Sequence, residues 1–314
     1  MLCIFLCPEI FFNVADYIVA HTGEFAALAV ALFWTITALA FESASKKVGS
    51  LTVNIFRLSL AFIFIGIFTL FSRGHFFPVD ATTHNWIWLA LSGLVGLVLG
   101  DYFLFRSYAL IGSRFAMLIM TLAPPMAAFF GYLMLDERLT ILQFAGMIIV
   151  LTGIALAIFN RPVKGERLSF KLSPRGLLFA FIGALGQGLG IVLSKYGMAS
   201  YDPFASTHIR IIAGIAGFTF IITVMGRWRQ TLGSLRDVPA MKALALGAFF
   251  GPFLGISFSL LSVKHTETGI ASTIMAIVPI LIIAPAVWIY KERLTAAEIL
   301  GAVISVAGVA MFFI

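Results

Sequence analysis

The chain has 314 residues, of which 61% are hydrophobic and only 11% are charged, and its formal net charge is +7. A soluble domain usually carries roughly 25% charged residues, so this composition excludes an ordinary soluble protein and indicates one that lies in a membrane. Because the basic residues fall between apolar runs, the positive charge indicates topology signals beside anionic membrane lipid and not nucleic-acid binding.

The opening of the chain, residues 1–23, is apolar but has no basic n-region and no clear cleavage site, so it makes a poor signal peptide. We interpret it as an N-terminal segment whose role is open, either an interfacial stretch or a misassigned start. The only cysteines, Cys3 and Cys7, lie in it, and they predict neither a disulfide framework nor a thiol-rich metal site.

Ten apolar segments follow, each close to the length of about 20 residues that crosses a bilayer. They are predicted at 25–42, 51–72, 86–106, 114–134, 141–159, 176–196, 205–225, 242–262, 269–289 and 296–314. The loops between them are short and leave no room for a soluble domain. The sequence therefore predicts an all-α, polytopic membrane protein and not a barrel of short alternating strands.

The second half of the chain repeats the first. Residues 89–159 recur as residues 244–314 without a gap, and 20 of the 71 paired positions are identical at an offset of 155. The earlier segments repeat more faintly at an offset of 153. Five segments per copy is an odd number, so the copies must enter the membrane from opposite sides. We predict two inverted five-helix repeats, 24–160 and 176–314, joined by a basic linker at 161–175.

Most lysines and arginines fall in the loops after segments 1, 3, 5, 7 and 9, which share one side of the membrane. We call this side B and the opposite side, A. The positive-inside rule predicts that side B is cytoplasmic and that both termini lie outside.

Several marks carry a family resemblance. The stretch Glu137-Arg138-Leu139-Thr140 recurs at 292–295 with matching glycines behind it, segments 4 and 9 carry matching prolines, and Arg57 and Trp34 stand in segments 2 and 1. In these features residues 24–314 resemble the drug/metabolite transporter superfamily, of the EamA type. The resemblance implies a carrier of metabolites, amino acids or drugs, often an exporter. It also implies cytoplasmic termini, which disagrees with the charge count.

No phosphate-binding loop and no metal or nucleophile motif appears in the sequence. We therefore predict a secondary transporter working by alternating access, without enzyme activity, cofactor or metal, in the plasma (inner) membrane of a bacterium. A lipid or lipid-linked sugar flippase is the nearer alternative, and an integral membrane enzyme the more remote one. Homo-oligomerisation is left open.

Ionisable residues inside a bilayer are costly and mark a pathway or a partner. In the first repeat they are Glu42, Arg57, Asp101 and Arg106, all in the half nearest side B. A structural lock, with Glu42 paired to Arg57, is one interpretation. The other is proton coupling through Asp101 or Glu42, which would need a pKa raised by burial.

The second repeat departs from this balance. Lys195 aligns with Glu42 and Arg210 with Arg57, whereas Ile256 replaces Asp101. Two cations without matching acids lead to the hypothesis that Lys195 and Arg210 meet a carboxylate or phosphate of an anionic substrate. The alternative is that Lys195 extends to the lipid headgroups.

Further polar and aromatic side chains are candidates for a central cavity that orients a small amphipathic ligand, or for hydrogen bonds between helices. They form three symmetry pairs: Trp34 and Gln187, Asn54 and Thr207, Tyr102 and Ser257. We interpret His208 as a hydrogen-bonded residue of the bundle and not as a metal ligand. The recurring glycines predict close helix packing, and the prolines predict interruptions of segments 4 and 9.

Overall fold

The computed structural model describes residues 16–160, 173–290 and 295–314, and these include ten helices long and apolar enough to cross a membrane. In the first repeat they are α1 (Thr22–Phe41), α2 (Ser50–Arg73), α3 (Thr83–Ser107), α4 (Phe115–Leu135) and α5 (Ile141–Ile158). In the second repeat they are α6 (Pro174–Met198), α7 (Pro203–Val224), α8 (Val238–His265), α9 (Thr268–Pro285) and α10 (Ala296–Phe313). The ten predicted segments are confirmed, with boundaries shifted by a few residues.

Short polar side chains begin several of these helices. Thr82 and Asn85 form a capping box at the start of α3, and Thr295 and Glu298 form one at the start of α10. The side chain of Asp202 caps α7. Each cap accepts hydrogen bonds from amides that have no partner within the helix, which is the reason these residue types stand at helix starts.

The two repeats interlock and share one core. Helix α1 packs against α8 and α9, and its symmetry mate α6 packs against α3 and α4. Three more contacts join helices to their own mates: α2 to α7, α4 to α9 and α5 to α10. The predicted architecture of two inverted five-helix repeats is confirmed.

The predicted glycine seam is tightest where α5 meets α10. A Cβ atom added to Gly301 would lie 2.5 Å from the carbonyl oxygen of Gly153, and one added to Gly146 would lie 3.2 Å from that of Gly308. Only glycine leaves room for two helix backbones to approach so closely. The seam therefore joins the repeats at a point where side chains are excluded.

Helices α3 and α8 each contain a π-helical stretch that the sequence did not predict. These stretches, Gly93–Gly100 and Phe249–Gly255, occupy equivalent positions in the two repeats. A π turn inserts an extra residue and is frequent at functional sites. The stretch in α3 ends immediately before Asp101, so it helps to set the direction of that side chain.

Helices α4 and α9 are interrupted near their prolines, as predicted. The α-helical stretch that ends at Met120 is followed by a new one from Ala123, with Pro124 in its first turn. Helix α9 consists of Thr268–Met275 and Val278–Leu281, and a third stretch begins at Ile283. Proline cannot donate an amide hydrogen bond, which explains a break at each position.

Candidate functional site

A buried ion pair joins α2 to α3. The Nη2 atom of Arg57 contacts Oδ2 of Asp101, and the two side chains are only 16% and 13% exposed. The guanidinium also lies over the ring of Phe41 in α1, 5.7 Å from its centroid. The side chain of Glu42 lies outside the described part of the chain, so its predicted pairing with Arg57 stays a prediction. The acid that meets Arg57 in the structure is Asp101.

The second repeat reaches this pair through Gln187 of α6. Its Nε2 donates hydrogen bonds to Oδ1 of Asp101 at 2.9 Å and to the carbonyl oxygen of Gly96 at 3.2 Å. Gly100 leaves the space that the amide needs, because a Cβ atom there would lie 3.1 Å from Nε2. Both oxygens of Asp101 are therefore held, one by each repeat.

Trp34, the symmetry mate of Gln187, occupies the equivalent niche in the other half. A Cβ atom added to Gly255 would lie 2.5 Å from the indole Nε1 of Trp34, as Gly100 meets Gln187. The pairing predicted from the sequence thus corresponds to equivalent positions in space. It differs in chemistry, because the amide binds a carboxylate and the indole packs against a glycine.

Arg210 of α7 places a second guanidinium near the same carboxylate. It is only 5% exposed and is close enough to Asp101 to interact with its charge. Gly96 faces this side chain, and a Cβ atom added to Gly96 would lie 3.6 Å from Nη2 of Arg210. Among the described residues no group accepts a hydrogen bond from this guanidinium, and its Nε is buried without a partner.

Arg57, Asp101, Gln187 and Arg210 together form what we call the central cluster. It draws on four helices, two from each repeat. Two guanidinium groups face one carboxylate, because Ile256 stands where the second acid would be expected by symmetry. Counted over the side chains that the structure describes, the cluster therefore carries one excess positive charge in a buried place.

A cavity of about 190 Å³ lies at the side B ends of α2, α3 and α7. Its lining consists of Ser50, Leu51, Asn54, Tyr102, Phe105, Arg106, Phe218, Met225 and Arg227. Two predicted cavity residues, Asn54 and Tyr102, are among them. Asn54 stands about one helical turn from Arg57 on α2, so the inner wall of the cavity adjoins the central cluster.

Asn54 brings an unused acceptor to this wall. Its Nδ2 donates to the carbonyl oxygen of Ser50 at 3.0 Å, whereas its Oδ1 is buried without a partner. At the outer end Arg106 donates to the hydroxyl of Tyr102 at 3.1 Å and is exposed, as is Arg227. The cavity thus runs from cationic side chains at the surface to a free acceptor inside.

The premise that Lys195 lacks an acid is wrong. Its Nζ donates to Oε1 of Glu137 at 2.6 Å and to the carbonyl oxygen of Thr266 at 2.8 Å. The other carboxylate oxygen of Glu137 accepts from the amide of Thr268 at 2.8 Å and thereby caps α9. The acid comes from the first repeat, 58 residues away, and not from the position aligned with Glu42. Lys195 therefore lies in a contact between the repeats and not beside Arg210 in a shared anion site.

Two other predicted polar residues are buried without hydrogen bonds. Both ring nitrogens of His208 lack a partner within the part of the chain that the structure describes, so its predicted hydrogen bonding is wrong. Its ring instead packs among Phe62, Phe76 and Phe77, with the nearest centroid at 4.8 Å. The hydroxyl of Ser257 is likewise buried without a partner. Neither residue belongs to the central cluster.

On side A, polar contacts join the two repeats. Asn85 donates to the carbonyl oxygen of Gly197 at 2.7 Å, and Tyr201 donates to Asp80 at 2.8 Å. Burial alone would raise the pKa of Asp80, but the hydrogen bond from Tyr201 and the charge of Arg73 hold that pKa below its usual value. Together with the contact between Lys195 and Glu137, these pairs join the two repeats at the side A end of the molecule.

The comparison with protein families decides what kind of protein this is. A model described as the EamA-like transporter family matches residues 21–159 and again residues 174–314. The two matches correspond to the two repeats and cover most of the chain. The chain belongs to the EamA-like transporter family. The resemblance inferred from the sequence is confirmed, and the protein is an integral membrane protein of the drug/metabolite transporter type.

Solved structures support the fold alone. A crystal structure of another protein superposes on this EamA-like chain with a TM-score of 0.72, covering 93% of this chain and 95% of that one at 19% identity. No curated protein matches the sequence. The family therefore establishes transport as the general activity, and the side chains of the central cluster must suggest its details.

Proposed function

We propose that this chain is a secondary transporter that moves a small organic solute by alternating access, with its binding site at the central cluster. The arrangement of that cluster carries the proposal. Each repeat supplies two of its four side chains, so rocking of one repeat against the other would change the distances between them. A site built in this way can be offered first to one side of the membrane and then to the other.

The distribution of open space supports this reading. The cavity leads toward the cluster from side B, whereas on side A polar contacts hold the repeats together. These are the features expected of one end state of an alternating-access cycle. The opposite state would need the side A contacts to separate and the side B ends to close.

The cavity also bears on the flippase alternative. Its outer lining includes two exposed arginines, Arg106 and Arg227. A cavity whose mouth is charged suits a solute that arrives from water better than a lipid that arrives from the bilayer core. We therefore favour a water-soluble solute, carried across the plasma (inner) membrane of a bacterium.

We further propose Asp101 as the coupling carboxylate. The charged groups that face it among the described residues are Arg57 and Arg210. Motion of the guanidiniums away from Asp101 would remove positive charge that favours its ionised form, and the acid would then take up a proton more readily. Movement of the repeats and movement of protons would be linked in this way.

Transport into proteoliposomes tests the proposal. Purified protein is reconstituted and supplied with a panel of radiolabelled amino acids, carboxylates and small cations, with and without an imposed pH gradient. We expect at least one solute to accumulate, and the pH gradient to increase the rate. Asp101→Asn should abolish the effect of the gradient, because the side-chain amide of asparagine does not titrate and cannot carry a proton.

The control is Lys264→Gln, which removes a cation on side A whose contacts are the carbonyl oxygens of Ser200 and Tyr201, within the second repeat. We expect this variant to transport at the wild-type rate. A pH gradient that accelerates Asp101→Asn as strongly as the wild type would remove Asp101 as the coupling group. Wild-type protein that moves no solute in the panel would count against transport through this site.

A further inference from the structure

The charge balance of the central cluster suggests which solutes it accepts, and this inference rests on the proposed function. Arg57 and Arg210 bring two positive charges, and Asp101 brings one negative charge. Gln187 is neutral and already donates to Asp101. A buried cation without a counter-charge is expensive, so a negatively charged visitor would relieve the cost.

Two arginines of the central cluster also have hydrogen-bond donors that are not used. The Nε atoms of Arg57 and Arg210 are buried, and neither has a hydrogen-bond partner among the residues that the structure describes. A buried donor without an acceptor is unfavourable, so two of them favour a ligand that can accept hydrogen bonds. A carboxylate offers two acceptor oxygens in a plane, which matches the planar fork of a guanidinium.

The lining of the cavity indicates which other groups the ligand should carry. Oδ1 of Asn54 is a free acceptor and calls for an N–H or O–H donor on the ligand. Leu51, Phe105 and Phe218 line the same space and suit an apolar group. A volume of about 190 Å³ holds only a small molecule.

We propose that the cluster binds a small monocarboxylate that also carries a hydroxyl and an apolar side chain. Its carboxylate would lie between Arg57 and Arg210, and its hydroxyl would donate to Asn54. A zwitterionic amino acid fits less well, because its ammonium group adds positive charge where positive charge is already in excess. The neutral amide of the same acid lacks the charge that the cluster would compensate.

Ligand-induced thermal stabilisation of the purified protein tests this without relying on transport. The probes are 3-phenyllactate, its primary amide and phenylalanine, at matched concentrations and neutral pH. A ligand that binds only the folded state raises the unfolding temperature in proportion to the logarithm of its concentration over Kd. We expect 3-phenyllactate to stabilise the wild type, and the amide and the amino acid to do so far less.

Variants at the cluster should change the affinity in opposite directions. Arg210→Gln removes a charged hydrogen bond and should raise the Kd for 3-phenyllactate about 10- to 100-fold, whereas Arg210→Lys should restore part of the affinity. Asp101→Asn removes the internal competitor for the guanidiniums and should lower the Kd. Lys264→Gln should leave it unchanged. Because each comparison uses the shift caused by ligand, a change in the stability of the unliganded variant does not affect it.

Three results would overturn the proposal: equal stabilisation by the acid and its amide, unchanged affinity in Arg210→Gln, or weaker binding in Asp101→Asn. The transport assay separates this failure from failure of the proposed function. If proteoliposomes accumulate a cation or a neutral solute while 3-phenyllactate does not bind, the solute class is wrong and transport stands. If 3-phenyllactate binds as expected but no solute moves, the site is right and carriage through it is wrong.

Discussion

At the scale of single residues, the central cluster depends on glycines as much as on charges. Gln187 can reach Asp101 because α3 and α6 approach closely, and the closest point is between Gly96 and Gly190. A Cβ atom on Gly190 would lie 2.7 Å from the Cα atom of Gly96, which is backbone and cannot turn aside. The hydrogen bonds of the cluster are therefore set by the separation of two backbones.

Gly190→Ala should separate these helices and destabilise the protein. Overpacking of this kind costs about 1–3 kcal/mol, and the bonds of Gln187 should weaken with it. Thermal unfolding in detergent measures the first effect and solute uptake the second. The matched control is Gly233→Ala, at an exposed helical glycine with nothing within 4 Å. An unfolding temperature for Gly190→Ala equal to that of Gly233→Ala would contradict this account of the contact.

At the scale of elements, the start of α9 is capped by a side chain from the connection between α4 and α5. Glu137 follows α4, yet it accepts from the amide and the hydroxyl of Thr268, at 2.8 and 2.6 Å, while holding Lys195 of α6. Three elements from both repeats thus meet at one carboxylate. Its 9% exposure means that water screens these charges little.

We expect Glu137→Gln and Lys195→Gln each to open side A more often. Loss of a partly buried charged hydrogen bond corresponds to about a 10- to 100-fold shift in an equilibrium. The probe is a cysteine introduced by Ser262→Cys in the last turn of α8, in a background with Cys3 and Cys7 changed to serine. The measurement is the rate at which a membrane-impermeant thiol reagent labels it. The double variant should label no faster than either single one, because both remove the same contact.

Lys264→Gln is again the control, since it removes a side A lysine whose contacts stay within one repeat. Labelling that is as slow in Glu137→Gln as in this control would show that the contact does not hold side A closed.

The same elements show how far sequence could lead. The ten helices were predictable because each is a mostly apolar run of about the length that crosses a bilayer, and the glycine seam because its spacing repeats in both copies. The partner of Lys195 was not predictable. The alignment relates Lys195 to Glu42, whereas its partner Glu137 lies beside it only because of how the helices pack. The π-helical stretches left no mark either, because apolar residues surround them on all sides. Asp101 was predictable as a candidate, but its position near two arginines required the packing of four helices.

At the scale of the whole molecule, the inverted repeats leave orientation to be set by charge. The basic loops after α1, α3, α5 and α7 predict that side B faces the cytoplasm and that the C-terminus lies outside. Alkaline phosphatase and green fluorescent protein fused after Ile314 report this directly. We expect an active phosphatase and a dark fluorescent protein. The reverse pattern would place the termini in the cytoplasm, as the family resemblance implied.

The sequence alignment of the two repeats gives the contact between Lys195 and Glu137 no counterpart of the same kind. The aligned residues are Glu42 and Glu292, which are both acids and so cannot form a pair of base and acid. In the alternating-access cycle that we propose, the two end states would therefore differ in free energy, and the empty protein should rest with side A shut and bind its solute from side B. If side B is the cytoplasm, the resting carrier loads from within the cell. For that proposed cycle we expect the separation of the side A contacts to be the slow step and transport to run outward.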